Sequence, residues 1–284
     1  MRPIRLKGLA SRIAYRLRWE LAYAWLREPK TREVMKLDEK AIARSLEQSP
    51  VPVQSLTINN SDYHDWMGKA DYANYQPDYY PENLPEKSLE HYLAARLLDL
   101  KPGDVYIDVA SQNGAAAEIY SRVYGVTSYQ QDLDFRKGMN GRKIGGDAAS
   151  MPVPDAFADA MALHCSFEHF EGNSDIRFIQ EVERVLKPGG RCVIVPLYLS
   201  HQHSCLTNPA QSVLNRVRFD AGSLVHASLS WHNRHGRFYS AEVFTQRLWK
   251  VRGTLNIVVH SISNFQEVDP SCYARFVAVI TKHE

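Results

Sequence analysis

Apolar positions along the chain change their spacing several times, and each change marks an element. Near the N-terminus Leu6, Leu9, Ile13, Leu17 and Leu21 recur at intervals of three or four, which predicts a helix with one apolar stripe. Between residues 47 and 87 the period is lost and prolines stand at 50, 52, 77, 81 and 85, so this segment reads as loop. A helical run from Ser88 leads to the turn Lys101-Pro-Gly-Asp, after which short apolar blocks alternate with amphipathic ones. Val105 to Val109 predicts a buried strand, about 115 to 124 a helix, Thr127 to Gln131 a second strand and Ala158 to His164 a third. Asp175 to Leu186 predicts a helix stopped by Lys187-Pro-Gly-Gly, with a fourth strand from Arg191 to Leu199. A long polar stretch follows, then a helix from about 241 to 250 and two late strands near 255–261 and 274–281. Alternation of this kind predicts an α/β fold whose mostly parallel sheet is covered on both faces. The chain divides into an N-terminal extension, 1–87, and a main domain, 88–284, with an insertion at about 200–240.

Composition narrows the classes. With 284 residues, 44% of them hydrophobic, the chain can bury a full core. A formal net charge of +2 gives no electrostatic case for nucleic acid, and no partner of that kind is expected. No apolar run is long enough to span a bilayer, and the N-terminus lacks the apolar block of a secretory signal. Cys165, Cys192, Cys205 and Cys272 form no Cys-x-x-Cys pair, which suits reduced thiols and a cytoplasmic location.

Two stretches stand apart. Arg2, Arg5, Lys7, Arg12, Arg16 and Arg18 all precede the first acid, Glu20. A basic amphipathic helix within residues 1–36 can pack on its own domain, lie on an anionic membrane surface, or act as a targeting segment. The proline-rich segment holds Tyr63, Trp66, Tyr72, Tyr75, Tyr79 and Tyr80, which suit either a structural strap or a pocket cover.

Ligands of open α/β sheets sit beyond the carboxyl ends of the strands. Asp108 lies in the last turn of the first predicted strand, and Asp132 ends the second, 24 residues later. A carboxylate there can accept two hydroxyl hydrogen bonds from a ribose. Gly146-Asp147-Ala148 precedes the third strand and offers an acid or a backbone group to an adenine edge.

The ordered set GDAASMPVPDAFADAMALHCSFEHF and FIQEVERVLKPGGRCVIVPLYL, placed after VYIDVASQNG, resembles the class I S-adenosylmethionine-dependent methyltransferases, in particular those of methyltransferase type 11. The likeness covers roughly residues 88–200 and implies a Rossmann-like, doubly wound sheet with an antiparallel last strand. It also implies S-adenosyl-L-methionine as cofactor. By the same resemblance Asp108, Ala110, Gln112 and Gly114 shape the methionine end, Asp132 binds ribose, Asp147 and Ala148 frame adenine, and His164 lies by the sulfonium. The chain departs from the family at its first turn. Members read Asp-x-Gly-x-Gly-x-Gly, and here the turn is Asp108-Val-Ala-Ser-Gln-Asn-Gly114. Glycines serve there through positive φ or close backbone approach, so the Gln112 side chain must point away or enter the methionine site.

Methyl transfer needs alignment above all, because the sulfonium is already activated. A hydroxyl acceptor gains from a base, and His169 in Phe167-Glu168-His169-Phe170 is the candidate. The insertion holds His201, His203, His226, His232 and His235, but alternating histidines without a spaced acidic partner do not make a metal site. Trp231 to Tyr239 interleaves Arg234 and Arg237 with aromatics, a pattern suited to gripping a phosphorylated, glycosylated or lipid-linked acceptor. The expected function is O-methylation of a small molecule, sugar or glycolipid. The alternatives are a non-catalytic scaffold of the same fold and a nucleic-acid methyltransferase. The latter lacks its Asn/Asp-Pro-Pro-Tyr/Phe signature, since His-Cys-Ser-Phe stands in that place.

Overall fold

The computed structural model describes residues 9–74, 80–112 and 114–283. Its strands are β1 (Lys30–Thr31), β2 (Val53–Leu56), β3 (Val105–Val109), β4 (Thr127–Asp132), β5 (Gly138–Asn140) and β6 (Lys143–Gly145). They continue as β7 (Ala158–His164), β8 (Leu186–Val195), β9 (Ser204–Thr207), β10 (Leu224–Ala227), β11 (Gly236–Phe238), β12 (Leu255–Ile262) and β13 (Phe276–Lys282). The helices used below are α1 (Leu9–Trp25), α2 (Glu39–Glu47), α3 (Asn60–Ala70), α4 (Tyr80–Leu98), α5 (Ala116–Tyr124), α6 (Ser174–Val185), α7 (Pro209–Ser212) and α8 (Ala241–Phe244).

Nine strands form the main sheet in the order β2-β12-β13-β8-β7-β3-β4-β6-β5. The central strands β8, β7, β3, β4 and β6 run parallel, and β13 is antiparallel to both of its neighbours, as the Rossmann-like reading expects. Strands β3 and β7 are largely buried on both faces, with helices covering each, and the polar side chains of Asp108 and His164 fall at their carboxyl tips. On one face Phe178, Ile179, Val182 and Val185 of α6 meet Ile42 and Leu46 of α2 and Phe244 of α8. On the other, Leu89 and Leu93 of α4 meet Ile119 and Tyr120 of α5 and Tyr63 and Trp66 of α3. From β3 the chain moves to β4 on one side and later returns to β7 on the other. A crevice for a ligand therefore opens above the carboxyl ends of β3, β4 and β7.

The segment read as loop is more ordered than its prolines suggest. Strand β2 pairs in parallel with β12, and α3 starts where the Asn59 side chain accepts from the N–H groups of Ser61 and Asp62. Tyr63, Trp66 and Ala70 fall at helical spacing and are buried. Tyr75 and Tyr79, and the side chain of Tyr80, lie outside the described residues. The polar insertion also has a frame, a second sheet in the order β1-β10-β9-β11. Its edge strand β1 comes from the N-terminal extension, so the extension is stitched into both sheets. Strand β8 starts directly after α6 and takes in Lys187-Pro-Gly-Gly, earlier than the pattern predicts.

Candidate functional site

The turn after β3 keeps the backbone that glycines would give it. Ala110 has φ 52° and Gln112 φ 47°, both left-handed, a region that costs a side chain roughly 1–2 kcal/mol. Four hydrogen bonds hold this strain. The Ala110 N–H donates to Gln131 Oε1 at 3.1 Å, and the Ser111 N–H to the Gln131 carbonyl at 3.0 Å. The Gln112 N–H donates to Asp132 Oδ2 at 2.8 Å, and the Gly114 N–H to the Ser111 carbonyl at 2.7 Å. A Cβ at Gly114 would lie 3.0 Å from that carbonyl oxygen, so the remaining glycine answers a real constraint. Gln112 is exposed. Asn113 lies outside the described residues.

Asp132 stands at the centre of this arrangement. One carboxylate oxygen takes the Gln112 N–H, and the other takes the Asp134 N–H at 2.9 Å. Each oxygen keeps a second lone pair, enough for the two hydroxyls of a diol. Beside it the side chain of Leu133 is 72% exposed and offers an apolar face. Gln131 was not singled out from the sequence, yet its buried amide ties two of the strand-tip loops together. Its oxygen serves Ala110 and its nitrogen donates to the Gly146 carbonyl at 2.6 Å. Two adjacent glutamines ending an otherwise buried strand were the available signal. Asp147 is exposed and caps its own turn by accepting from the Ala149 N–H at 2.9 Å, while Ala148 is buried. Open lone pairs on Asp132 and the exposed Leu133 beside it together fit a nucleoside-bearing cofactor.

Asp108 and His164 face each other at the tips of β3 and β7. His164 Nδ1 is 3.1 Å from Asp108 Oδ1, and its Nε2 is 3.4 Å from the Tyr120 hydroxyl. The His91 ring stands edge-on to His164 at a centroid distance of 4.7 Å. Burial first, then the neighbouring His164, pushes His91 well below the usual imidazole range, so it is neutral. Deeper in α4, Lys87 Nζ sits 2.8 Å from the fully buried Glu90. Burial pushes the Glu90 carboxyl up to about 8, against the pull of Lys87.

The loop after β7 forms the other wall. His169 Nδ1–H donates to the His235 carbonyl at 2.5 Å, which leaves the lone pair on Nε2. That nitrogen lies 3.3 Å from the Asn233 amide and 3.4 Å from Glu168 Oε1. Close by, Ser166 Oγ and Glu168 Oε2 are buried and lack a hydrogen-bond partner among the described residues. Tyr198 and Tyr273 stack at 6.4 Å above Cys165, whose sulfur is 3.3 Å from the Tyr198 hydroxyl. Nothing in the spacing links these tyrosines, which lie 75 positions apart.

Arg237 is spent inside the protein, wholly buried on Asp220, which corrects the ligand-gripping role expected of it. Arg234 is exposed and pairs with Glu171 at the surface. His235 is buried beside Arg237 and donates through Nδ1 to the Glu168 carbonyl at 3.1 Å. Burial, then the charge of Arg237, pushes the His235 imidazole down to about 4. The unfolded chain therefore binds a proton that the folded one refuses, between about pH 6.5 and 4, so stability falls as pH drops through that window. From pH 7 to pH 5 this group alone should remove about 2 kcal/mol. Urea denaturation at the two pH values checks it: His235→Gln should flatten the loss, and an unchanged loss would assign it elsewhere.

Comparison with known proteins places these features. Residues 107–194 match the family model described as a methyltransferase domain. Over 174 residues the chain is 24% identical to a demethylmenaquinone methyltransferase of Corynebacterium kroppenstedtii, covering 56% of this chain and 74% of that protein. It is 30% identical over 119 residues to a ubiquinone/menaquinone biosynthesis C-methyltransferase of a Caulobacter species, covering 35% of this chain but only 46% of the relative. In three dimensions it is similar to the 1,6-didemethyltoxoflavin-N1-methyltransferase of Burkholderia thailandensis, a structure with S-adenosylhomocysteine bound. That TM-score is 0.50 at 12% identity, over 82% of this chain and 94% of the other.

Proposed function

We propose that this chain, whose residues 107–194 match a methyltransferase domain, is a class I S-adenosylmethionine-dependent methyltransferase that methylates a hydroxylated small molecule, a sugar or a glycolipid at oxygen. When bound, S-adenosyl-L-methionine supplies the activated methyl group. Asp132 holds the ribose diol, and Asp147 and Ala148 frame adenine. Asp108, Ala110, Gln112 and Gly114 shape the methionine end, with His164 at the border towards the acceptor. One observation carries the choice of acceptor. Ser166 Oγ and Glu168 Oε2, two buried oxygens without partners among the described residues, lie on the same loop as His169, and the hydroxyls of Tyr198 and Tyr273 both approach the adjacent Cys165. A hydroxylated ring entering as the loop opens would satisfy both, one hydroxyl donating to the carboxylate and another accepting from the serine, with the tyrosine faces on its apolar side.

His169 then takes the proton of the reacting hydroxyl. Its Nδ1–H bond to the His235 carbonyl selects the tautomer with an accepting Nε2, and Glu168 Oε1 stands ready to pair with the imidazolium. A second reading, methylation at a ring carbon, draws on the quinone-pathway names of the two relatives. A phenolate is nucleophilic at oxygen and at the ortho carbon, so the same base serves either outcome.

The test uses S-adenosylmethionine carrying a ¹³C methyl group with three probes: a methyl glycoside, a catechol and a hydroquinone. Carbon shifts separate O-methyl from C-methyl products. Absence of any cofactor affinity by calorimetry would instead support a non-catalytic scaffold. With an active probe, His169→Gln should lower kcat about a hundredfold while cofactor affinity stays within about twofold. Full activity in that variant would reduce His169 to a brace for its loop.

A further inference from the structure

The N-terminal helix packs in a way its leading apolar stripe does not predict. Trp19, Ala22 and Leu26 are buried; Trp19 packs with Ala210 and Ala227, and Tyr15 and Tyr23 rest against that cluster. Polar contacts fasten the same side. Asn208 Nδ2 donates to the Tyr15 hydroxyl at 2.9 Å, Arg18 donates to the Ala210 carbonyl at 3.2 Å, and Lys30 Nζ caps the last turn on the carbonyls of Tyr23 and Leu26. At 100° per residue, Ile13, Leu17, Leu21 and Trp25 fall on the opposite side. They are 52%, 60%, 65% and 76% exposed. The helix is therefore held firmly by one face while a row of large apolar side chains, about 18 Å long, is turned outward.

The surroundings of that row identify its occupant. Arg12, Arg16 and Arg18 are exposed on the helix with one acid, Glu20, which pairs with Arg16, and Arg27 lies just beyond it beside Glu28. At the Trp25 end a small groove of about 160 Å³ is bordered by Arg27, Arg216 and one acid, Glu28, together with Val213 and Val217, so the surroundings of the row keep a net positive charge. Leu214, next to it in sequence, is 62% exposed. A second copy of the chain would bring this rim of positive charge against itself. Among the described residues no helix is long and apolar enough to cross a membrane.

We propose that the outer face of α1 docks the enzyme on an anionic phospholipid bilayer, with Ile13, Leu17, Leu21 and Trp25 entering the interface and the flanking arginines meeting lipid phosphates. Apolar side chains supply burial, tryptophan suits the headgroup boundary, and arginine binds phosphate through paired N–H donors. The helix lies parallel to the surface and presents the rest of the molecule to it in one fixed orientation.

Co-sedimentation of the full chain tests this with vesicles of phosphatidylcholine alone and with phosphatidylglycerol added. The expected result is pelleting with the anionic vesicles, at least tenfold weaker on neutral ones and weakened by salt. Leu17→Ser with Leu21→Ser should reduce binding at least tenfold while cofactor affinity and thermal midpoint hold, since both side chains touch solvent. Equal pelleting of that variant, or of neutral vesicles, overturns the proposal. So does concentration-dependent dimerisation abolished by the same variant without vesicle binding, which would make the face a contact between copies.

Discussion

Arg237→Leu is expected to cost about 3–5 kcal/mol of folding stability, the usual effect of leaving buried charges without their partner. The guanidinium has no solvent exposure. Its Nε and Nη2 donate to Asp220 at 2.6 and 2.8 Å, and its Nη1 and Nη2 to the carbonyls of Phe170 and Gly172 at 2.7 and 2.9 Å. Asp175 stands 3.2 Å away and also receives Arg247 and the Tyr239 hydroxyl. Burial opposes the ionised form of Asp220, but hydrogen bonds from His203 and Arg237 prevail and hold its carboxyl far below the usual range. One leucine would take the buried cation from two carboxylates and a donor from two carbonyls at the seam between the insertion and the loop that carries His169, leaving His203 on Asp220 and Arg247 on Asp175. Urea denaturation reads the loss, and limited proteolysis within residues 200–240 locates it. Adding Asp220→Leu should recover part of the stability, because an apolar pair avoids the stranded charge. A loss under about 1 kcal/mol would mean that packing alone holds the insertion.

The parallel sheet was legible because its strands are short, apolar on both faces and punctuated by Pro-Gly turns; Val105–Val109 and Ala158–His164 emerge as the pattern predicts. Proximity across long separations was not legible. Nothing in the spacing of Lys30-Thr31 announces that it edges a sheet with Leu224–Ala227, since a two-residue strand has no measurable period. The stripe on α1 is one face of a helix at Ile13, Leu17 and Leu21, while Leu6 and the side chain of Leu9 lie outside the described residues. The sequence left its direction open, because Tyr15, Trp19 and Ala22 form a second apolar face and only tertiary packing chooses between them. At the site, Asp108, Asp132 and His164 lie at strand tips, where strand order alone puts them. Arg237 illustrates the opposite case. An arginine between aromatics resembles a ligand grip, and only a buried partner 17 residues away, Asp220, reveals a structural one. The first turn departs from the family's glycines, yet Ala110 and Gln112 both adopt the left-handed backbone. The acceptors that enforce it, Gln131 Oε1 and Asp132 Oδ2, come from another strand.

Those bonds make Asp132→Ala the most informative change in the crevice. The carboxylate serves the strained turn and, by proposal, the ribose, so its removal should weaken S-adenosylmethionine and S-adenosylhomocysteine alike, by tenfold or more in Kd, or at least about 1.4 kcal/mol. Two causes can produce that loss, and they separate. If the turn collapses because Gln112 has lost the acceptor of its N–H, then Gln112→Gly, which adopts positive φ freely, restores affinity in the Asp132→Ala background. If the diol has lost its acceptor, glycine restores nothing. The variant then ceases to distinguish S-adenosylhomocysteine from its 2′,3′-dideoxy analogue, whereas the parent still prefers the diol. Calorimetry on the four chains and two ligands decides between them. Unchanged affinity in a folded Asp132→Ala chain would place the ribose elsewhere. The carboxylate would then serve only to hold Gln112 in a backbone region that glycine normally occupies.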